Sequence, residues 1–129
     1  MVCIFVLMVR EGRALLMRHT YQDAWYLPGG GVKRGETLAQ AIRREAAEEV
    51  GATLDALALL GVYSSFYEGK SDHVTVFVCE AFAWSGETDR EIARFAFFPL
   101  NDLPAGTSPG TRRRVQEYIQ GSRPYVGMW

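Results

Sequence analysis

This chain of 129 residues has few cysteines, a net charge close to zero and only short hydrophobic runs. Two cysteines are too few for a disulfide framework or a cysteine-based metal site. A net charge of −1 provides no basic surface for a nucleic-acid polymer. The first apolar run, residues 2–9, is far too short to cross a bilayer and follows no basic segment. We therefore expect a cytoplasmic protein whose partners include neither nucleic-acid polymers nor membranes.

Internal repeats, linkers and low-complexity tracts are also missing from the sequence. A hydrophobic content of 48% is enough for one core, so we predict a single domain over residues 1–129. Residues 73–84 are apolar on both faces, as expected for a central strand covered on both sides. Two helices and a mixed sheet between them predict an α/β/α sandwich. The predicted strands are residues 2–9 and 13–19, which form a hairpin, and residues 57–67, 73–84 and 95–100.

The sequence specifies its first helix well. Thr37 with Gln40 three residues later forms a capping box, and Gly51 is a natural C-terminal stop. A helix over Leu38–Val50 follows. At about 100° per residue, one face of this helix is an apolar stripe. The residues of the stripe are Leu38, Ala41, Ile42, Ala46 and Val50.

Three glutamates of this helix do not lie on the face where solvated side chains are expected. Glu45 and Glu49 project into the apolar stripe, and Glu48 lies at its edge. Burying an unpaired carboxylate costs several kcal/mol, by a rough estimate, so something must neutralise these side chains. Carboxylate oxygens without neighbouring Cys or His select Mg²⁺ or Mn²⁺. The alternative is ion pairing with Arg43 and Arg44 on the helix surface.

A glycine-rich segment, Pro28-Gly29-Gly30-Gly31, lies just upstream and favours the metal interpretation. Consecutive glycines allow the backbone to approach a ligand closely. The segment is not a dinucleotide-binding fingerprint, because Arg34 occupies the position of the third glycine. It is not a Walker A loop either, because Gly35 is followed by Glu36 rather than by lysine. The segment and the acidic helix therefore form one predicted site.

The pattern Gly30-x5-Glu36-x7-Arg44-Glu45-Ala46-x-Glu48-Glu49-x-Gly51 resembles the Nudix box, with every charged and glycine position filled. The preceding Trp25-Tyr26-Leu27-Pro28-Gly29-Gly30 resembles the usual lead-in to that box. Glu91 and the later Phe97-Phe98-Pro99-Leu100 resemble the segment that closes the Nudix fold. Ala46 and Ala52 stand where the pattern prefers bulkier aliphatic residues.

This resemblance implies hydrolysis of a nucleoside diphosphate linked to another group, with Mg²⁺ or Mn²⁺ as the cofactor. Small nucleotides, such as a nucleoside triphosphate or a nucleotide sugar, are the expected substrates. ADP-ribose is less favoured, because ADP-ribose-directed relatives often carry a proline after the box and this chain has none between Pro28 and Pro99. The implied roles are metal binding by Glu45, Glu48 and Glu49, orientation of these carboxylates by Arg44, bracing of the loop by Glu36, and a further acid, as ligand or base, at Glu91.

Substrate contacts are predicted with less support from the sequence. Arg18 ends a strand near the site and either holds a phosphate or is a surface arginine. The Gly29-Gly30 backbone is expected beside the metal and substrate. An aromatic residue could stack on a base, although a structural role is favoured for each candidate. These aromatic candidates are Trp25, Tyr26, Phe66 and Tyr67.

Three further expectations concern the rest of the chain. The helix over residues 111–120 should turn Val115, Tyr118 and Ile119 inward, while Arg112-Arg113-Arg114 should be solvated surface. The aromatic segment 123–129 should pack on the body of the protein or on a second subunit, which leaves a homodimer open. Two other function classes also stay open: a Nudix-like sensor or scaffold without turnover, and a structural module whose acidic helix binds no cation.

Overall fold

The computed structural model describes residues 1–19, 23–88 and 94–129. Two helices and a series of strands alternate along these residues, as expected for a mixed α/β protein. The helices are α1 (Leu38–Val50) and α2 (Pro109–Gln120). The strands are β1 (Val2–Arg10), β2 (Arg13–Arg18), β3 (Gly29–Gly31), β4 (Ala52–Leu54), β5 (Ala58–Ser65), β6 (Asp72–Cys79), β7 (Phe82–Trp84), β8 (Arg94–Pro99) and β9 (Tyr125–Met128).

The main sheet is mixed and has the strand order β8-β2-β1-β6-β5-β9, with β3 paired to β1. β1 runs parallel to β6, and β9 runs parallel to β5. The pairs β2–β8 and β5–β6 are antiparallel. β4 and β7 form a separate two-stranded sheet.

Each face of the main sheet carries its own hydrophobic core. Ile4, Val6 and Met8 of β1 point to the face covered by α1, whereas Leu7 and Val9 point to the other face. This alternation is the period-two pattern of a strand with both faces buried. The second face is covered by α2, which contributes the buried Val115. The predicted α/β/α sandwich is therefore confirmed.

The predicted first hairpin is present but short. Only Val9–Ala14 and Arg10–Arg13 pair across it, and its turn places Glu11 and Gly12 at φ of 53° and 72°. Two successive positive φ values match the twist of a tight hairpin. The N-terminal half of β1 pairs with β3 instead, through residues 3–5.

The predicted single strand over residues 73–84 is wrong, because the segment contains two strands. β6 ends at Cys79, whose thiol donates a hydrogen bond to the main-chain oxygen of Ala81 at 3.2 Å. β7 begins at Phe82 and pairs with β4, outside the main sheet. As predicted, β6 itself is central, between β1 and β5.

Two hydrophobic side chains expected to face inward are exposed. Leu38, placed in the apolar stripe of α1, is 37% exposed, and Ile119 of α2 is 50% exposed. Both lie in terminal turns of their helices, where less of the sheet lies against them. Cys3 and Cys79 are free thiols. Within the residues that the structure describes, no helix is both long and apolar enough to span a membrane.

Candidate active site

Helix α1 begins and ends where its capping signals predict. The Thr37 hydroxyl accepts a hydrogen bond from Gln40 N, and the Gln40 side chain accepts one from Thr37 N. At the other end, Gly51 adopts the left-handed conformation with φ of 68°, and its N–H donates to helix carbonyls. Such local pairing satisfies the terminal backbone groups of a helix. The caps thereby fix where α1 begins and ends, and its apolar residues packed in the core set the direction of its glutamates.

The predicted burial of the acidic side chains is confirmed. Glu45 is 7% exposed and Glu49 is 4% exposed, whereas Glu48 is only half-buried. These two buried residues lie on the face of α1 that packs on the sheet, beside Ala46 and Val50. The carboxylates therefore face the main sheet rather than solvent.

Strand β3 brings the glycine backbone onto these carboxylates. The N–H of Gly29 donates to Glu49 Oε1 at 3.2 Å. A Cβ at Gly30 would lie 2.9 Å from the Glu45 carboxyl carbon, and one at Gly29 would lie 2.0 Å from the main-chain oxygen of Ile4. The contact with the Ile4 backbone leaves no room for a side chain at Gly29, whereas a side chain at Gly30 would displace the end of the Glu45 side chain. Gly29 is thus required because β3 is packed between β1 and α1.

Arg44 links the acidic helix to the glycine-rich segment. Its Nε donates to Glu36 Oε2 at 2.7 Å and its Nη2 donates to Glu36 Oε1 at 2.9 Å. Nη1 donates to Glu45 Oε1 at 2.8 Å and to Glu48 Oε2 at 3.4 Å. Nη2 also reaches the main-chain oxygen of Gly31 at 3.1 Å. Arg44 therefore holds two of the three glutamates and the loop at once.

The electrostatics of this cluster follow from the same contacts. Hydrogen bonds from Arg44, and then from Lys33 N, lower the pKa of the Glu36 carboxyl to about 2. The hydrogen bonds to Glu36 and Glu45 raise the pKa of the Arg44 guanidinium. Arg43, the other arginine considered for ion pairing, donates instead to the main-chain oxygens of Leu54 and Asp55, at 3.5 and 2.9 Å.

The donor set fits a hard divalent cation by chemistry, but the ligands are not preassembled. Among residues 1–19, 23–88 and 94–129, no three Asp, Glu, His or Cys side chains converge as a metal-binding group. The available donors are carboxylate oxygens, which suit Mg²⁺ or Mn²⁺. Because Gly30 has no side chain, its backbone lies directly against the Glu45 carboxylate. Glu45, Glu48 and Glu49 would hold the ion after adjustment of their side chains.

The structure distributes the other predicted site residues unevenly. Arg18 lies at the end of β2 with its guanidinium carbon 5.2 Å from the centre of the Trp25 ring. Tyr26 pairs with Met17 and contacts the His19 ring at 5.3 Å. Glu91 lies outside the described residues.

The remaining aromatic candidates do not gather around the acidic helix. Trp25 packs edge-on against Phe98 at 4.9 Å, which is a structural role. Phe66 and Tyr67 are 55% and 76% exposed next to the turn between β5 and β6. The structural role favoured for them, as core or strand-pair aromatics, is wrong.

The expectation that the three consecutive arginines are all solvated is wrong for Arg114, which is 2% exposed. Its guanidinium lies 3.8 Å from the Tyr63 ring centre and 4.7 Å from that of Trp129, and its Nε lies 2.8 Å from Glu117 Oε1. Burial lowers the pKa of this guanidinium, and the Glu117 carboxylate opposes that shift. The helical spacing of Thr111, Arg114 and Val115 was the signal that could have revealed it.

A pocket that the sequence did not predict lies next to the glycine-rich segment. It has a volume of about 300 Å³. Trp129 forms part of it and stacks on Phe5 at 5.8 Å, so the predicted packing of the C-terminal segment on the body is confirmed. The lining residues are Phe5, Tyr26, Leu27, Ser108, Thr111 and Trp129.

Comparison with known proteins defines the class to which this fold and site belong. The family model described as NUDIX domain matches residues 1–118. The chain therefore belongs to the Nudix family. The crystal structure of a MutT Nudix hydrolase from Burkholderia pseudomallei superposes with a TM-score of 0.79 and 29% identity, covering 90% of this chain and 95% of that one.

Two curated relatives are similar at the level of sequence. A protein named ADP-ribose pyrophosphatase, from Methanocaldococcus jannaschii, is 33% identical over 100 residues, or 74% of this chain. An oxidized purine nucleoside triphosphate hydrolase from Danio rerio is 34% identical over 103 residues, or 77% of this chain. The matched regions span 59% and 66% of those proteins.

Proposed function

We propose that this chain is a Nudix pyrophosphohydrolase that uses Mg²⁺ or Mn²⁺ to cleave a phosphoanhydride bond in a small nucleotide. A nucleoside triphosphate or a nucleotide sugar is the preferred substrate class, and ADP-ribose is included because a relative carries that name. One observation carries the proposal: two buried carboxylates, Glu45 and Glu49, face the glycine backbone of β3.

The chain's own residues supply binding and orientation. Glu45, Glu48 and Glu49 would hold the metal, and Arg44 would orient the first two through the contacts it already makes. A bound divalent ion offsets the charge of the diphosphate and lowers the pKa of water. The main chain at Gly29 and Gly30 lies against Glu49 and Glu45 and would line the site beside the metal.

Proton transfer requires a carboxylate near the attacking water. One of the three glutamates of α1, or Glu91, would accept the proton as water attacks phosphorus. A nucleoside triphosphate cleaved between its α- and β-phosphates yields a nucleoside monophosphate and pyrophosphate. Glu36 has a different role: its bidentate pairing with Arg44 braces the segment between β3 and α1. Arg18 is the proposed phosphate contact at the end of β2.

The decisive experiment is turnover of a substrate panel with Mg²⁺ and with Mn²⁺, with products resolved by chromatography. The panel contains nucleoside triphosphates, nucleotide sugars, dinucleoside polyphosphates and ADP-ribose. We expect cleavage of one class, and a loss of about 10²–10⁴-fold in kcat for Glu49→Gln. Glu68→Gln, in the exposed turn before β6, is the matched control and should retain full activity.

Two outcomes contradict the proposal. Turnover that survives Glu49→Gln undiminished would place the chemistry elsewhere. Saturable binding of nucleotides without turnover of any substrate, with or without metal, would establish a sensor or scaffold instead. Product analysis in ¹⁸O-labelled water checks the direction of attack, because label must appear on a phosphate oxygen of one product.

A further inference from the structure

The pocket beside the glycine-rich segment has aromatic walls and adjoins the acidic site. Phe5 packs directly against Gly29, whose N–H donates to Glu49. Tyr26 and Leu27 form another part of the lining and immediately precede Pro28-Gly29. A group held here is thus separated from Glu49 by one layer of backbone.

The hydroxyl groups of Ser108 and Thr111 in the pocket are already paired with each other. Ser108 Oγ donates to Thr111 Oγ1 at 2.8 Å and accepts a hydrogen bond from Thr111 N. Among the residues that the structure describes, Tyr26 is the single ionisable side chain in the lining. The pocket therefore suits a flat, uncharged ring held by stacking rather than a phosphate or a sugar hydroxyl cluster.

One wall of this pocket, Trp129, depends on Arg114. The main-chain oxygen of Trp129 accepts hydrogen bonds from Arg114 Nη1 at 3.2 Å and from Arg113 Nε at 2.9 Å. The Arg114 guanidinium also lies over both the Tyr63 and Trp129 rings, which meet edge to face at 5.8 Å. Trp129 N donates to the main-chain oxygen of Ser64. The main-chain N–H and the main-chain oxygen of Trp129 are both thereby held in place.

Gly110 makes room for the Trp129 ring. A Cβ at Gly110 would lie 2.5 Å from Trp129 Nε1 and 2.6 Å from Cε2. Gly110 lies in the first turn of α2, within an ordinary helical conformation. An alanine here would leave the helix intact and displace the indole.

We propose that Arg114 is a positioning residue for the substrate, because it holds Trp129 as the wall on which the ring of the nucleotide stacks. Arg114 acts through Trp129 and touches neither the substrate nor the acidic site. This inference rests on the proposed function. The contact between α2 and the C-terminal segment would then be the reason why the enzyme prefers a nucleotide to a simple polyphosphate.

A direct binding experiment tests the role of Trp129 as a wall of the pocket without measuring turnover. In a Trp25→Phe, Trp84→Phe protein, Trp129 is the single indole. Titration with AMP, GMP, CMP and UMP should quench its emission saturably, and inorganic phosphate should not. Unchanged Trp129 emission with all four nucleotides overturns the inference. Because no cleavage is measured, a negative result here is distinct from a failure of the proposed hydrolysis.

Steady-state kinetics test the positioning role on the substrate class that the panel identifies. Gly110→Ala and Arg114→Lys should each raise KM about tenfold and leave kcat within about threefold, as expected for loss of base stacking. Lysine keeps the charge opposite Glu117 but lacks the planar guanidinium that lies over the two rings. Gly127→Ala is the matched control, because no atom of the described residues lies within 4 Å of a Cβ placed there.

The two glycine variants test the position of the Trp129 ring even if Arg114→Lys fails to fold. Equal kinetics for Gly110→Ala and Gly127→Ala overturn it, as does a fall in kcat with unchanged KM. Circular dichroism and melting curves should show both glycine variants folded, so that a change in KM reports the position of Trp129.

Discussion

Arg44 is the residue through which charge and geometry are coupled in the acidic site. One guanidinium reaches Glu36, Glu45 and Glu48, at the distances given above, and it also binds the main-chain oxygen of Gly31. Because a guanidinium has a rigid planar fork, such a set of contacts fixes the carboxylates in direction as well as in charge. A lysine at this position could not reproduce them.

The pairing of Glu36 with Arg44 should be visible in the acid stability of the protein. The folded-state pKa of Glu36 is about 2, below its ordinary value of 4.5. A depressed carboxylate pKa stabilises the fold fully above the unfolded value, and this contribution is lost as the pH falls towards the folded value. The melting temperature of Glu36→Gln should therefore lie below that of the wild type above pH 5, by a constant margin.

Between about pH 4.5 and pH 2 this margin should shrink, because the wild type loses the contribution that the variant never had. Thermal unfolding monitored by circular dichroism at a series of pH values measures it. Glu68→Gln, at an exposed turn position, controls for the general effect of removing one acid. A margin that stays constant down to pH 2 would show that the pairing does not hold in solution.

Two kinds of buried charge show how far residue patterns predict a structure. Glu45 and Glu49 were recognised in an apolar stripe because their neighbours are alanine, isoleucine and valine. Arg114 obeys the same periodicity with Thr111 and Val115, but a run of three arginines is typical of a solvated surface. What overrides that expectation is a pair of rings, Tyr63 and Trp129, that are distant in sequence.

At the scale of elements, local signals predicted α1 almost to the residue. Its caps are formed by side chains and glycines within the helix itself, so no distant partner is needed. Strands were predicted less well, because their ends depend on partners far along the chain. β7 leaves the main sheet after Ala81 and pairs with β4, and the main-chain oxygen of Phe82 accepts a hydrogen bond from Arg10 at 2.6 Å. The local sequence contains no signal for either contact.

Gly51, which ends α1, should tolerate alanine less well than Gly12 in the first hairpin. Gly51 and Gly12 have φ of 68° and 72°, so alanine at either position carries a similar left-handed strain of about 1–2 kcal/mol. A Cβ at Gly51 would also lie 2.2 Å from the main-chain oxygen of Glu87, whereas one at Gly12 would have no neighbour within 4 Å in the described part of the chain. Gly51→Ala should therefore lower the free energy of unfolding by clearly more than Gly12→Ala.

Chemical denaturation of the two alanine variants measures this difference. We expect about 1 kcal/mol for Gly12→Ala and about 3 kcal/mol or more for Gly51→Ala, since steric displacement of backbone adds to the strain. Equal losses would mean that the segment around Glu87 moves away without cost.

At the scale of the whole molecule, the central sheet separates the two halves of the proposed site. α1 places the carboxylates on one face, and α2 with Trp129 builds the aromatic pocket on the other. β1 and β3 connect them, because Ile4 and Phe5 pair with Gly30 and Gly29. The fold class and the acidic half of the proposed site could be predicted from the sequence. The pocket did not, since its walls come from three distant segments that meet only in the folded chain.

Metal binding should stabilise the whole fold if the acidic half is a cation site. A ligand that binds only the folded state adds about 2.7 kcal/mol at a concentration of one hundred times its Kd. We therefore expect the melting temperature to rise by several degrees as Mn²⁺ or Mg²⁺ is added and to level off at saturation. Potassium chloride at matched ionic strength controls for screening of surface charge.

Variants of the three glutamates connect this stabilisation to the site. Glu48 is half-buried and Glu49 is nearly fully buried, so Glu48→Gln should perturb the fold least while still removing one ligand. Glu48→Gln and Glu49→Gln should each reduce the Mn²⁺-dependent rise in melting temperature. Because Arg44 already neutralises Glu45 and Glu48 in part, a structural module would melt at the same temperature with and without the metal. An unchanged melting temperature of the wild type in saturating Mn²⁺ would therefore favour the structural alternative over the enzyme.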